Sequence, residues 1–315
     1  METLPIADIV INPTLRYRLH TASPQLQRSI EQIGILVPLL VARSTEGWVL
    51  VDGHVRLEVA RNIPLEAVPV KVAPDIPGGL IQSVWQNHAQ QPLSVVEKAR
   101  VLFLLESMVT EDELQELYEF LEVPTRRMQL RLREIAGYPI TVQQYFHEQQ
   151  FSLKQIERLR SLSVEKLLPW IELASQLRIK APEFQQIIEM VWDIAVRENC
   201  SIEACYQQLG IARILKGNWT IQQKVQRLKQ HLMHQRFPLL TRLRKLLEER
   251  SQQLQRLSSL PMRVQWDRNL EELGVWIQFF VEDVQDIKKL EELAKNPEFV
   301  SAVNFLLQTF TQTKE

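Results

Sequence analysis

The chain has 315 residues, enough for two or three domains with hydrophobic cores of their own. Its hydrophobic content of 45% and charged content of 24% are those of an ordinary globular protein, and it contains no apolar run of about 18 residues that would predict a membrane span. The start has no secretory-signal pattern, and two cysteines are too few for a disulfide framework or a metal cluster. We therefore expect a cytoplasmic protein with reduced thiols, no membrane partner and no metal site.

The first ninety residues alternate between strand and helix patterns. Ser23 is a typical N-cap for the first helix, and Gly34 stands where a C-terminal glycine would end it. In chain order, the patterns predict an edge strand at 6–11, this helix, strands at 35–42 and 48–51, a short helix at 55–62 and a strand at 68–72. The order β-α-β-β-α-β predicts a compact α/β domain over residues 1–92.

From Ser94 onward the helical pattern is almost continuous. Ser94 with Glu97, and Thr110 with Glu113, have the three-residue spacing of capping boxes, which start helices. Breaks between helices are predicted at three prolines, Pro139, Pro169 and Pro182. These patterns predict an all-α domain over residues 93–210.

The last third of the chain changes character twice. One or two long helices are predicted at 220–258, with an interruption at Pro238. Alternating patterns at 262–266 and 275–281 then predict an antiparallel strand pair, followed by closing helices. We treat residues 211–315 as a third region of basic helices with a small α+β cap, so the predicted fold class is α+β.

The net charge of −1 hides a strong asymmetry. Residues 210–260 carry 11 basic and 2 acidic side chains, whereas residues 95–209 carry 13 basic and 18 acidic ones. A cationic surface of this kind attracts nucleic-acid phosphates regardless of sequence. The equal alternative is a solvated face that docks on the acidic middle region. If DNA binds here, the predicted contacts are Lys224, Arg227, Lys229, Arg236, Arg242, Arg244 and Lys245.

The stretch Asp52-Gly53-His54-Val55-Arg56 joins a buried strand to a helix. A glycine lets the backbone approach an anion, and amides at the following helix start point outward. Arg56 would add a charged donor, and Asp52 would hold an arginine, a metal or a hydroxyl. The pattern predicts phosphate or nucleotide binding. The alternative is a structural turn in which Arg56 pairs with Asp52.

Four stretches in the right order resemble the N-terminal domain of ParB-type proteins, whose fold is shared with sulfiredoxin. They are INPTLR at 11–16, LQRSIEQIGILVPLLV at 26–41, VLVDGHVRLEVARNIPLEAVPVKV at 49–72 and WQNHAQQPLSVVEKARVL at 85–102. A weaker resemblance continues to about residue 165. It implies a ParB-like N-terminal domain followed by a helix-turn-helix domain, and a homodimer as the working form.

The resemblance also implies that the glycine motif holds nucleotide phosphates, typically of CTP with Mg²⁺. It assigns Gly53, His54, Arg56 and Asn87 to the ligand. Arg16 and Arg18 are two residues apart, so in an extended segment they face the same way and would grip a second phosphate, unless they are simply solvated. Three departures from the family pattern, Val55, Gln86 and Gln90, remove charge and count against CTP binding of the usual kind.

The motif is also similar to that of ParB-fold kinases that phosphorylate free serine. An enzyme that transfers a phosphoryl group or cuts nucleic acid is therefore the alternative function, with Asp52, His54 or Glu31 as candidate catalytic residues. The catalytic cysteine of sulfiredoxin would stand at His54, so sulfinic acid repair is not expected. A protein-interaction scaffold is a third hypothesis.

The candidate helix-turn-helix comprises helices at 112–121 and 124–137. Arg126, Arg127 and Arg131 lie on the second helix, where they suit contacts with phosphate or guanine. The acidic first helix would repel a DNA backbone, so a helical packing module is the alternative. The sequence as a whole predicts a ParB-like DNA-binding protein, acting as a nucleotide- or phosphate-responsive regulator or accessory factor and nucleoid-associated when bound.

Overall fold

The computed structural model describes residues 2–45, 47–159, 163–267 and 274–311. The chain forms two compact units, one of Met1–Ile188 with Ser201–Leu209, the other of Glu189–Cys200 with Gly210–Glu315. Part of the weaker resemblance falls on residues 160–162, outside the described residues. A five-stranded sheet with its own helices is followed by a long series of helices and a small strand pair, so the predicted α+β class is confirmed. The division at residues 92 and 210 stays a prediction.

The first unit opens with a five-stranded mixed sheet. Its strand order is β1-β5-β3-β4-β2, in which β1 pairs antiparallel with β5, β5 parallel with β3, β3 antiparallel with β4, and β4 parallel with β2. The strands are β1 (Glu2–Pro5), β2 (Ile9–Val10), β3 (Leu39–Ser44), β4 (Gly47–Asp52) and β5 (Ala67–Ala73). Helices α1 (Pro24–Ile33), α2 (His54–Arg61) and α3 (Ile76–Gln90) accompany it. A core that includes Val41, Leu50 and Leu57, each fully buried, joins sheet and helices.

Two strand predictions need correction. The predicted strand at 6–11 is a 3₁₀ turn at Ile6–Asp8 followed by the two residues of β2, and β1 precedes both. The backbone amide of Ile6 bonds the carbonyl of Glu66 at 2.9 Å, in register with β1 and β5, and the amide of Ile9 then closes the turn on the carbonyl of Ile6. The strand predicted at 35–42 begins only at Leu39, because Pro38 has no amide proton to donate to a ladder.

The remaining helices of the first unit are α4 (Val95–Leu105), α5 (Glu111–Phe120), α6 (Arg126–Ala136), α7 (Ile140–Glu148), α8 (Leu153–Arg158), α9 (Val164–Gln176) and α11 (Ile202–Gln208), and α10 (Ala181–Arg197) runs from this unit into the second. The two predicted capping boxes are formed at the starts of α4 and α5. The predicted break at Pro169 is wrong, since α9 continues through it. The lost helical hydrogen bond is offset by burial of its neighbours Leu167, Trp170 and Ile171.

The second unit contains α12 (Ile211–Lys216), α13 (Ile221–Arg236), α14 (Pro238–Leu257), β6 (Met262–Gln265), β7 (Trp276–Phe279), α15 (Val284–Lys295) and α16 (Pro297–Thr311). Pro238 is the first residue of α14, where its missing amide proton costs nothing. The predicted strand pair is present, as β6 pairs antiparallel with β7. Buried Leu247 and Leu254 of α14 pack with Leu306 and Phe310 of α16. Within the described ranges, none of the helices has the length and apolar character needed to cross a bilayer.

Candidate functional site

A cleft of about 260 Å³ opens in the first unit where β4 ends and α2 begins. Its lining contains all six residues predicted to bind nucleotide, namely Arg16, Arg18, Gly53, His54, Arg56 and Asn87, together with Asp52. The candidate base Glu31 is placed elsewhere, on the exposed face of α1, where it accepts a hydrogen bond from Gln27. The structure thus brings the predicted binding residues together and leaves Glu31 outside.

Gly53 makes the bend on which the cleft depends. Its φ of 98° and ψ of 21° are left-handed, and a Cβ at this position would lie 2.5 Å from Cδ2 of Leu39. Gly53 is also the N-cap of α2, so the first amides of that helix have no partner within the helix. Such amides, reinforced by the helix dipole, suit an anion.

Arg56 is anchored to the protein as well as facing the cleft. Its Nη1 donates to the carbonyl oxygens of Val37 at 2.5 Å and Pro38 at 2.8 Å, and its Nη2 lies 3.5 Å from the carboxylate of Asp52. Burial lowers the pKa of Arg56, and Asp52 opposes that effect. The Arg56–Asp52 pair of the structural-turn hypothesis is therefore present in a residue that also lines the cleft.

Arg16 and Arg18 each have a carboxylate partner. Arg16 pairs with Glu58, and the Nε of Arg18 lies 3.1 Å from Oε1 of Glu97. Both arginines are half-buried, so they are not the freely solvated side chains of the alternative interpretation. The Nη1 atom of Arg18 is buried and has no hydrogen-bond partner among the residues that the structure describes.

Asn87 and His54 add neutral hydrogen-bonding groups. The amide of Asn87 donates to the hydroxyls of Tyr17 at 2.9 Å and Ser83 at 3.0 Å. Burial, helped by Asp52, raises the pKa of Tyr17 to about 12. His54 is 7% exposed, and burial lowers its pKa to about 4, so it is uncharged at neutral pH. Its Nε2 is buried without a partner within the described part of the chain.

The charge of the cleft is smaller than its three arginines suggest. Each guanidinium faces a carboxylate, and both histidines that line the cleft, His20 and His54, have pKa values that burial lowers. Gln86 and Gln90 are exposed on α3 and are not part of the cleft lining, whereas Val55 is. The arrangement can hold an anionic group through backbone amides and hydrogen bonds, with little unpaired positive charge to offer a triphosphate.

Helices α5 and α6 are joined by a tight turn at residues 121–125. Glu122 in that turn has a φ of 60°, and the Val123 amide bonds back to the Tyr118 carbonyl at 2.7 Å. Arg126 and Arg127 are exposed at the start of α6. By contrast, Arg131 is only 14% exposed and is bound to two glutamates, Glu134 at 2.6 Å and Glu157 at 3.5 Å. Arg127 remains 78% exposed although its Nη2 lies 3.4 Å from Glu157, so the two arginines at the helix start are more accessible to a partner surface than Arg131.

The predicted basic residues of the second unit lie on α13 and α14. Arg227, Arg242 and Lys245 are exposed. Arg227 also stacks over the ring of Trp219 at 4.1 Å, which fixes the guanidinium at the surface. Two others are engaged within the unit, since Arg236 pairs with Asp193 at 2.5 Å and Lys224 donates to the Leu215 carbonyl at 2.7 Å. Lys229 and Arg244 are half-buried.

One cluster escaped the sequence analysis. His20, Glu97 and His147 converge beside the cleft, and His20 also lines it. The three are 77 and 50 residues apart along the chain, so no local spacing could have indicated them.

Comparisons with known proteins give one curated relative and several solved structures, and no family model matches the chain. Over 212 residues the chain is 28% identical to stage 0 sporulation protein J of Bacillus subtilis (strain 168), a ParB protein, a match that covers 63% of this chain and 71% of that protein. The similar structures include C-terminally truncated chromosome-partitioning protein ParB from Caulobacter crescentus in complex with the centromeric parS site (18% identity, 59% of this chain and 97% of that chain, TM-score 0.31). They also include the same protein with CTP-gamma-S (21% identity, 54% and 97%, TM-score 0.25). A Pnob8-like ParB-N domain is similar at 14% identity over 53% and 83%, with a TM-score of 0.33.

Proposed function

We propose that this chain, a ParB-like protein by its likeness to stage 0 sporulation protein J, binds DNA and responds to a phosphate-bearing ligand held at Gly53. The observation that carries the proposal is the concentration of cations in residues 210–260, 11 basic against 2 acidic, with Arg227, Arg242 and Lys245 exposed on α13 and α14. A duplex attracts such helices through its backbone phosphates, whatever its sequence.

A second DNA-contacting element is α6. Its first turn carries Arg126 and Arg127 exposed, on a helix whose opposite face buries Leu132 and Ile135. That division of faces is what a recognition helix needs, because one face packs while the start of the other meets base edges. Arg131, held by Glu134 and Glu157, is assigned to support of the helix instead.

The cleft supports the ligand-responsive part of the proposal. The bend at Gly53 presents the amides of α2, and the guanidinium of Arg56 stands beside them. Gln86 and Gln90 supply no charge, so neither offers a carboxylate that could hold Mg²⁺. We assign the cleft to CTP or another nucleotide, bound without such a carboxylate. We propose that a ligand in this position changes the affinity of the protein for DNA. The protein would then be a regulator or accessory factor. The enzyme hypothesis and the homodimer stay predictions.

A salt titration of duplex binding tests this function. Affinity for random-sequence DNA is measured by fluorescence anisotropy at several salt concentrations, for the parent and for a triple variant, Arg227→Ala, Arg242→Ala and Lys245→Ala. If all three side chains contact phosphates, the slope of log affinity against log salt falls in magnitude by about 3. Adding CTP with Mg²⁺ in a second arm changes the affinity if the cleft regulates binding.

The matched control removes three exposed cations from other surfaces, Arg28→Ala, Lys71→Ala and Lys288→Ala. It changes the net charge equally, so an equal loss of slope in both triple variants would contradict a surface on α13 and α14. No association of the parent with duplex DNA at low salt would contradict the function itself.

A further inference from the structure

A cluster of two histidines and one glutamate lies beside the cleft in the first unit. His20 precedes α1, Glu97 lies on α4 and His147 lies on α7. One ligand atom from each of the three side chains can be chosen so that all lie within 4.8 Å of one another. The Nε2 of His20 is 3.7 Å from Oε1 of Glu97, and the Nδ1 of His147 is 3.7 Å from Oε2 of the same carboxylate.

The carboxylate at the centre of this cluster is fixed in place. Glu97 is 1% exposed and His147 is 5% exposed. Oxygen Oε2 accepts from the amide of Ser94 at 3.0 Å, and Oε1 accepts from the amide of Leu19 at 3.3 Å and lies 3.1 Å from Nε of Arg18. Donors that orient a ligating carboxylate in this way are typical of the surroundings of a metal ion.

We propose that His20, Glu97 and His147 bind a divalent transition-metal ion of the Zn²⁺ type. Two imidazoles and one carboxylate form a ligand set that zinc prefers, and three protein ligands leave a position open. With bonds of about 2.1 Å, tetrahedral ligand atoms stand about 3.4 Å apart. The two 3.7 Å separations end on different oxygens of Glu97, and one atom from each side chain falls within 4.8 Å of the others, so the ligand atoms need to approach one another by up to about 1.4 Å.

Binding requires two local changes. The Nδ1 of His147, which lies 2.8 Å from the hydroxyl of Ser94, turns its lone pair to the ion instead. The two imidazoles also approach each other from a ring-centroid separation of 5.0 Å. His20 is suited to this movement because it is 38% exposed and lies in a segment between elements.

Arg18 limits the affinity. Its guanidinium contacts the same carboxylate and repels a dication, so the site binds more weakly than a closed structural zinc centre. Because His20 lines the cleft, an ion bound by it would stand close to the cleft's occupant. Metal binding by this cluster is separate from the proposed function, because it needs neither DNA nor nucleotide.

Metal titration of the full-length protein without a histidine tag tests the proposal. Zn²⁺ affinity is measured against a chromophoric chelator, and Co²⁺ is used to record the visible absorption of the bound ion. We expect one equivalent of bound metal and a Co²⁺ spectrum of nitrogen and oxygen ligands at low coordination number. His20→Gln and His147→Gln each weaken Zn²⁺ binding by at least about tenfold.

The control is His234→Gln on α13, which changes an exposed histidine outside the cluster and leaves the affinity unchanged. Circular dichroism of each variant separates lost binding from lost folding. Should the buried His147 variant unfold, the half-exposed His20 variant decides the outcome. Unchanged Zn²⁺ affinity in a folded His20→Gln protein overturns the proposal. A thiolate charge-transfer band in the spectrum of the Co²⁺ form also overturns it, and so does a loss of Zn²⁺ binding in His234→Gln alone.

Discussion

Side chains that line the cleft also hold the first unit together. Arg56 bonds the carbonyls before β3, Arg16 pairs with Glu58, and Arg18 pairs with the buried Glu97. Removing one partner of a buried pair leaves the other uncompensated, which costs stability in addition to any ligand contact. Loss of ligand binding in such variants is therefore interpretable only beside a measured free energy of unfolding.

Gly53 permits a cleaner experiment, because its role is steric. We expect Gly53→Ala to lower the free energy of unfolding by about 2–4 kcal/mol, since the left-handed backbone is strained for alanine and the new Cβ meets Leu39. Urea denaturation followed by circular dichroism measures the change.

Gly210→Ala is the matched control for backbone strain alone. Gly210, the N-cap of α12, has a φ of 60° and a ψ of 32°, and a Cβ there would meet nothing within 4 Å. Its cost should be only about 1 kcal/mol, the usual penalty for alanine in a left-handed position. Equal losses in the two variants would mean that the contact with Leu39 relaxes freely and that the bend at Gly53 tolerates a side chain.

At the scale of elements, boundaries set by local chemistry were predictable and those set by tertiary contacts were not. Ser23 and Gly34 bound α1 as predicted, because a capping hydroxyl and a glycine with positive φ act on the helix ends themselves. The 3₁₀ turn at Ile6–Asp8 divides a chain segment that pairs first with β5 and then with β4, and the continuity of α9 through Pro169 depends on buried neighbours. Neither contact is visible in a sequence window.

The turn between α5 and α6 contains a residue whose backbone conformation lowers the free energy of unfolding. Glu122 adopts a φ of 60°, which costs a side-chain-bearing residue about 1 kcal/mol relative to glycine. We therefore expect Glu122→Gly to raise the free energy of unfolding by up to about 1 kcal/mol. Thermal and urea denaturation measure it.

Glu119→Gly provides the opposite case three residues earlier, inside α5. It removes the same charge at an exposed site with helical backbone, where glycine costs about 1 kcal/mol. A gain in both variants would show that charge relief among the acidic residues of α5, rather than backbone conformation, controls stability here.

At the scale of the whole molecule, the candidate sites differ in how far the sequence could reveal them. The cleft was predictable because its glycine motif is contiguous, and the family resemblance adds Asn87 and the arginines before α1. The basic segment is visible as a charge count in 210–260. The cluster of His20, Glu97 and His147 assembles from distant stretches, so only the folded chain shows it.

The two cationic surfaces lie in different units, and we expect them to divide the work of DNA binding. Arg126 and Arg127 start α6 in the first unit, while the exposed cations of α13 and α14 belong to the second. Base contacts discriminate between sequences, whereas phosphate contacts position the protein without discriminating. Alanine at both α6 arginines should therefore flatten sequence preference, and the triple variant of α13 and α14 should weaken binding to all duplexes about equally.

Selection from a random duplex library, sequenced for the parent and each variant, measures preference, and anisotropy measures affinity. If α6 reads bases, its double variant should lose about 1–3 kcal/mol on selected sequences and less on the unselected pool. The triple variant should keep the parent's ranking of sequences with uniformly lower affinities. A ranking that survives in the α6 variant would assign α6 to packing or to phosphates, because an element that reads bases cannot be removed without changing which bases are preferred.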